Sequence, residues 1–313
     1  MSNVIIQNES EIFQSQQTKY RPARFAIWSL IGLFLLYQFV GGGITLLLIG
    51  GQITADNVTL ARVATMVSQI LFLLIPTILL AKRQHGIISD VFKWRFPTFL
   101  ELFLAIVGMI VLMQIGEIYL FFQSKIPIPQ PFVPIIESMK KAIEEAFKLL
   151  IVARSVPEML FVVLVAALTP AVCEEMMFRG LIQKNFTLAY GHKKGYVLAG
   201  TIFGLYHLNP FWVLPLIALG IYFSFLQYRS QTLILPIIVH FINNGAATVG
   251  VYFFGSADTT TPTMFMGGEN EPSVTLVLGT GVLFVIIFYF VIVQYVAVTE
   301  KVHYPQQLNE QIT

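Results

Sequence analysis

Charged side chains are scarce in this chain. They make up 12% of its 313 residues, about half of the ~25% usual in soluble proteins. Hydrophobic residues reach 56%, and a soluble core that hid them all would leave too little polar surface to cover it. A soluble globular fold is excluded, and the mean hydropathy of +0.74 agrees. Net charge is low as well, at +2, which gives no electrostatic basis for a nucleic-acid partner. Cysteine occurs once, as Cys173, so neither an internal disulfide framework nor a cysteine-built zinc cluster can form. No His-Glu-x-x-His run occurs, and the usual helix of zinc proteases is therefore missing. Internal repeats and low-complexity segments are lacking too. What the chain has in quantity is long apolar sequence, rich in aromatics (27 Phe and 12 Tyr).

Residues 25–50 carry no charge and exceed the ~20 residues needed to span a bilayer. They follow a polar segment, residues 1–24, that ends in Lys19, Arg21 and Arg24. A secretory signal has a shorter apolar region, so residues 25–50 read as a retained helix, with Gly41, Gly42 and Gly43 marking where it can kink. Further apolar stretches lie near 60–81, 99–123, 157–183, 195–209, 210–228, 231–255 and 273–298. They predict an all-α, polytopic membrane bundle of about eight transmembrane helices. Only Asn209-Pro210 divides 195–209 from 210–228, so a count of seven is also open. The expected organisation is a polar N-terminus (1–24), one transmembrane domain (25–298) and a tail (299–313).

Lys and Arg gather on alternate loops: Lys82, Arg83, Lys93 and Arg95, then Lys184, Lys193 and Lys194, with Arg229 and Lys301 at later span ends. The opposite loops are poor in them; 51–59 has only Asp56, and 256–272 has Asp258, Glu269 and Glu271. The positive-inside rule then places both termini in the cytoplasm of a multi-pass protein, expected in the cell (plasma) membrane. Loop 124–156 carries five Lys/Arg on the outer side, nearly balanced by acidic residues. Its four prolines, Pro127, Pro129, Pro131 and Pro134, break any helix. Beyond them Ile135, Met139, Ile143, Ala146, Phe147 and Leu150 recur at helical spacing, and Glu137–Lys141 and Glu144–Lys148 are favourable i,i+4 pairs. This segment is an amphipathic helix expected to lie on membrane lipids. Gly279-x-Gly281 sits within an apolar span, where small residues allow close helix packing.

Ionisable groups inside spans are the informative exceptions, because each costs about 2.5–3.5 kcal/mol at a helix centre and usually has a partner or a task. Glu101 and Glu158 fall at span edges, and Glu117 about two turns from one. What remains is Glu174, Glu175 and Arg179 in the fourth span, His207 in the fifth, and His240 with Asn244 in the seventh. Glu175 and Arg179 are four apart, acid first, and can be buried as a pair. Glu174 lies about 100° round the helix and need not share that cation. At 1.5 Å per residue, Glu174 lies about 15 Å from Lys184, His207 about 19 Å from Lys194, and His240 about 16 Å from Arg229. The groups therefore fall at one depth.

Glu-Glu-x-x-x-Arg at 174–179, Phe-x-x-x-His at 203–207 and His-x-x-x-Asn at 240–244 occur in that order on successive spans. Over roughly residues 157–250 this resembles the CPBP family of intramembrane proteases, which groups CAAX prenyl proteases with bacteriocin-processing and self-immunity proteins (the Abi group). The resemblance implies an endopeptidase that acts on a peptide or lipidated protein. Glu174 would activate the attacking water and His207 would hold it. Glu175 would pair with Arg179, and His240 and Asn244 would stabilise the oxyanion. Phe203 would orient His207. Glu174, His207 and His240 are also a possible zinc ligand set, and the family has been described both as glutamate proteases and as metalloproteases. Two other classes remain: a non-catalytic immunity or scaffold protein of the same fold, and a proton-coupled transporter, since membrane Glu and His also form ion relays.

Overall fold

The computed structural model describes residues 18–254 and 272–303. The expected N-terminal segment up to residue 17, the acidic outer loop at 255–271 and the tail from 304 lie outside the described residues. Within them the chain is helical and holds no strand. Nine helices follow in order: α1 (Pro22–Ile49), α2 (Val58–His85), α3 (Phe99–Ser124), α4 (Val133–Ile151), α5 (Val156–Tyr190), α6 (His192–Tyr206), α7 (Val213–Ser230), α8 (Ile234–Phe254) and α9 (Val274–His303).

Seven of the described helices are long and apolar enough to cross a membrane; α4 and α6 are not among them. The protein is an integral membrane bundle. The eighth predicted span resolves as a shorter element. At 15 residues, α6 is about 22 Å long. The chain then turns at His207–Trp212 and returns as α7. Leu208 adopts a left-handed φ of 51°, a conformation that a bulky side chain rarely takes. α7 ends beside Arg95, whose Nη2 donates to Ser230 O. Its other end reaches Gly116, where an added Cβ would touch Pro215 at 3.6 Å, about 26 Å along α3 from Phe99. The turn between α6 and α7 therefore falls short of the far end of α3 at Ser124.

α6 and α7 meet at backbone distance. A Cβ added at Gly200 would land on the Ile221 amide, and one at Gly204 on the Ile217 amide. This is the close approach that the sequence reading assigned to Gly279 and Gly281. At those positions Gly279 faces open space, and Gly281 makes only ordinary contact with Ile118 at 3.5 Å. Gly41–Gly43, where α1 can kink, adjoin a departure from regular α-helix. The helix accommodates a π-helical turn over Leu35–Gly41 and continues. Three similar turns occur, at Ile70–Leu74 in α2 and at Leu164–Leu168 and Met176–Ile182 in α5.

The amphipathic helix forms as α4, and its apolar face is open, with Ile135, Met139 and Phe147 exposed. It starts at Val133 rather than after Pro134, because proline is tolerated in a first turn where no N–H is needed. Its i,i+4 contact is Lys141–Glu145 at 3.8 Å, not either expected pair. The firmer attachment comes from a residue the sequence reading passed over. Arg62 of α2 is buried, and its guanidinium donates to Leu149 O, Leu150 O and Val152 O at the C-terminal end of α4 and to Glu158 at 2.7 Å. Glu158 is therefore the partner of a buried arginine, not an idle edge residue. Glu101 is likewise fully buried: it closes a capping box with Thr98 and pairs with Arg95 at 2.8 Å.

Candidate active site

The site forms where α5, α6 and α8 meet. Thr169–Glu175 is an α-helical stretch of α5 between two π-helical turns, and π-bulges recur at functional sites. Glu174 and Glu175 project to different surroundings, as their ~100° offset requires. The Glu175 side chain is completely buried, and its Oε1 lies 2.9 Å from Arg179 Nη1. The Arg179 guanidinium also donates to Gly220 O at 3.1 Å. Three rings enclose it: Phe203 at 4.3 Å from Cζ, Phe223 at 5.4 Å and Phe178 at 5.8 Å. A guanidinium stacked on aromatic faces and paired with a carboxylate is a state in which a charge can be held in lipid.

Glu175 has a second partner that spacing alone did not reveal. Its Oε1 accepts from His240 Nδ1 at 2.8 Å. Because the other nitrogen is set by this bond, His240 Nε2 faces Asn244, whose Nδ2 is 3.2 Å away. Asn244 Nδ2 also reaches Ala166 O at 3.4 Å. A continuous polar chain thus runs Arg179–Glu175–His240–Asn244 through the membrane interior.

Glu174 stands beside this chain with one side open, 17% exposed, and its Oε2 is 3.9 Å from His207 Nε2. That gap is too wide for a direct hydrogen bond and is of the kind that one shared water bridges. His207 Nδ1 is 2.8 Å from Phe203 O. A carbonyl only accepts, so Nδ1 carries a proton, and in the neutral ring Nε2 then presents a lone pair toward Glu174. The Phe203 ring packs edge-on to both histidines, at 4.7 Å from His207 and 5.9 Å from His240, and joins the two halves of the site.

All six predicted site residues are brought together. Glu117 is not; it makes no hydrogen bond or ion pair among the described residues. Among those residues no three His, Cys, Asp or Glu side chains converge as metal ligands. Of the set Glu174, His207 and His240, the first two face each other across 3.9 Å, while both ring nitrogens of His240 are engaged by Glu175 and Asn244. The arrangement does not fit a three-ligand zinc site. The aromatic enclosure of Arg179 has one signal in the sequence, Phe178 beside it. The wall that α1 and α2 build on the Glu174 side has none in the motifs. There Gln69 Nε2 donates to Tyr37 Oη at 3.3 Å, and Tyr206 Oη donates to Leu30 O at 3.4 Å.

A helical membrane bundle with a buried carboxylate, two imidazoles and an amide at one level defines a class: membrane proteins with an intramembrane polar site. Comparison with known families narrows it. Residues 156–246 match the family model described as Type II CAAX prenyl endopeptidase Rce1-like, so this core is similar to the CPBP family of intramembrane proteases. The match covers every one of the six site residues and leaves α1–α4 and α9 outside it. The family is one of CAAX-type proteases, whose substrates are peptides. No curated protein and no solved structure matched the chain.

Proposed function

We propose that this protein is an intramembrane endopeptidase of the CAAX-protease kind, which hydrolyses a peptide bond with a water held between Glu174 and His207. The observation that carries this reading is the 3.9 Å pairing of Glu174 with the unprotonated nitrogen of His207. Both groups are acceptors, so a water between them gives one hydrogen to each and turns its oxygen lone pairs outward. As that oxygen adds to the scissile carbonyl, Glu174 takes its proton. Asn244 stabilises the oxyanion, its carboxamide held by His240; the 3.4 Å bond of Asn244 to Ala166 O is weak enough to be exchanged for it. Glu174 then returns the proton to the departing amine. Arg179 and Glu175 take no proton; they hold the His240 ring.

Substrates on this reading are a prenylated C-terminal tail, a bacteriocin leader or another membrane-bound peptide. The Lys/Arg-rich end of the bundle faces the cytoplasm. Convergence of the polar residues on one point, rather than along a path, favours a hydrolase over an ion relay, and the presence of every motif residue favours it over a non-catalytic scaffold.

The test is cleavage by the purified protein of a farnesylated C-terminal peptide and of a leader-peptide panel. Glu174→Ala should lower the rate by about 10²–10⁴ and Asn244→Ala by about 10²–10³. No cleavage by the wild type, or equal cleavage by Glu174→Ala, would overturn the reading. A strong chelator should leave the rate unchanged; abolition restored by zinc would transfer the water to a metal.

A further inference from the structure

Gln69 and Tyr37 lie outside the family match, yet they stand at the depth of the site. Gln69 is 16 residues from the end of α2 at His85, about 24 Å along its axis, and Tyr37 is 15 residues from Pro22, about 22 Å. Glu174 is 16 residues from the end of α5, again about 24 Å. The three helix ends share one side of the bundle, since Lys19 N donates to Gln84 O and Gln84 Nε2 to Asn185 Oδ1. Leu73, one turn along α2 from Gln69, packs in the cluster that contains Cys173, Met176 and Met177. That contact sets the Gln69 face of α2 against the segment bearing Glu174.

Gln69 is more than nine-tenths buried, at 7% exposure. Its Nε2 is committed to Tyr37 Oη, whereas its Oε1 is buried with no hydrogen-bond partner. A buried acceptor left unpaired is unfavourable, and in a membrane no bulk water is at hand to relieve it. Tyr37 itself falls in a π-helical turn, and Gln69 directly precedes another. The helices that carry these two residues are therefore locally rewound at the level of Glu174, as α5 is on both sides of that residue.

We propose that Gln69 Oε1 accepts a main-chain N–H of the bound substrate peptide beside the scissile bond, and that Tyr37 positions the carboxamide for it. The inference rests on the protease reading above. It assigns α1 and α2 a share in substrate recognition, while the catalytic groups stay on α5, α6 and α8. A peptide that enters a membrane site must satisfy its backbone N–H groups there. Glutamine offers an acceptor that carries no charge to compete with Glu174. Tyr37 acts through Gln69 and is a positioning residue.

The experiment couples enzyme variants to substrate variants. A farnesylated C-terminal peptide is made in versions where each main-chain N–H near the cleaved bond is replaced in turn by an ester oxygen, and kcat and KM are measured for wild type, Gln69→Leu, Gln69→Glu and Tyr37→Phe. One ester position should raise the wild-type KM about three- to tenfold, with little change in kcat. Gln69→Leu should show that loss with the amide peptide and no further loss with the ester. Gln69→Glu, which keeps an acceptor, should restore sensitivity to the ester, and Tyr37→Phe should weaken it. Non-additivity of this kind is the mark of a direct contact, and a merely structural role would not produce it. If Gln69→Leu fails to fold, the ester series on wild type and Tyr37→Phe decides the question. Additive losses at every ester position would overturn the Gln69 assignment while leaving Glu174-dependent cleavage intact. Absence of any cleavage by the wild type would overturn both.

Discussion

Glu174 and Glu175 are adjacent carboxylates with opposite duties, and substitution should separate them. Glu175 is buried and joins Arg179 to His240. Removing one partner of a buried ion pair typically costs about 3–5 kcal/mol, so Glu175→Gln should lower the thermal unfolding temperature in detergent together with activity. Glu174 has an open side and no arginine within bonding distance; Glu174→Gln should unfold like the wild type while losing hydrolysis. Arg179→Lys is not a conservative change. An ammonium cannot lie flat on Phe203 at 4.3 Å while bonding both Glu175 and Gly220 O, so peptide cleavage should fall at least about tenfold. The Glu175–Arg179 pair was readable from i,i+4 spacing. The His240–Glu175 bond was not, because it joins residues 65 apart on helices whose relative rotation no local pattern encodes.

At the scale of elements, the contrast is between glycines that a helix leans on and glycines it does not. Gly204→Ala places a methyl on the Ile217 backbone and should destabilise the protein by about 1–3 kcal/mol. Gly279→Ala, directed into open space, should stay within about 0.5 kcal/mol. Thermal unfolding of the two purified variants makes the comparison. A Gly-x-Gly run was visible in the sequence, but which glycines touch a neighbour depends on helix pairing. The Gly200–Gly204 spacing was the better guide to close packing. Arg62 was hidden for the converse reason: a single arginine near the start of an apolar run passes for a flanking charge until its three carbonyl partners are seen. Arg62→Met should release the end of α4, observed as faster amide hydrogen exchange over residues 133–152 with α5 unchanged.

For the whole molecule, most of the spans followed from where charge is missing. The orientation proposed for the bundle can be read with little background, since the lone Cys173 is buried. A membrane-impermeant maleimide applied to intact cells should label Ser138→Cys in α4, and should label Lys93→Cys only after permeabilisation. The reverse pattern would invert the bundle. What composition and periodicity did not convey was phase. A count of 100° per residue assumes unbroken α-helix, and α1, α2 and α5 each depart from it, α5 twice. The predicted span α6 was shortened by its return at Leu208, a turn that hydropathy cannot distinguish from a continuing helix.

The π-helical turns have a consequence for chain length. A turn that closes i to i+5 holds one residue more than an α turn, and deleting a residue lets the helix revert to the regular form. Taking one residue out of Ile70–Leu74 would rotate Gln69 by about 100° relative to the rest of α2 without altering any side chain at the site. The same deletion in Met176–Ile182 would swing Arg179 off Glu175. Distances in this protein are thus held partly by the number of residues and not only by their identities. Point substitutions in these segments, Tyr37 and Arg179 apart, should be far better tolerated than single-codon deletions, and a deletion in one turn should be repaired best by an insertion within the same turn.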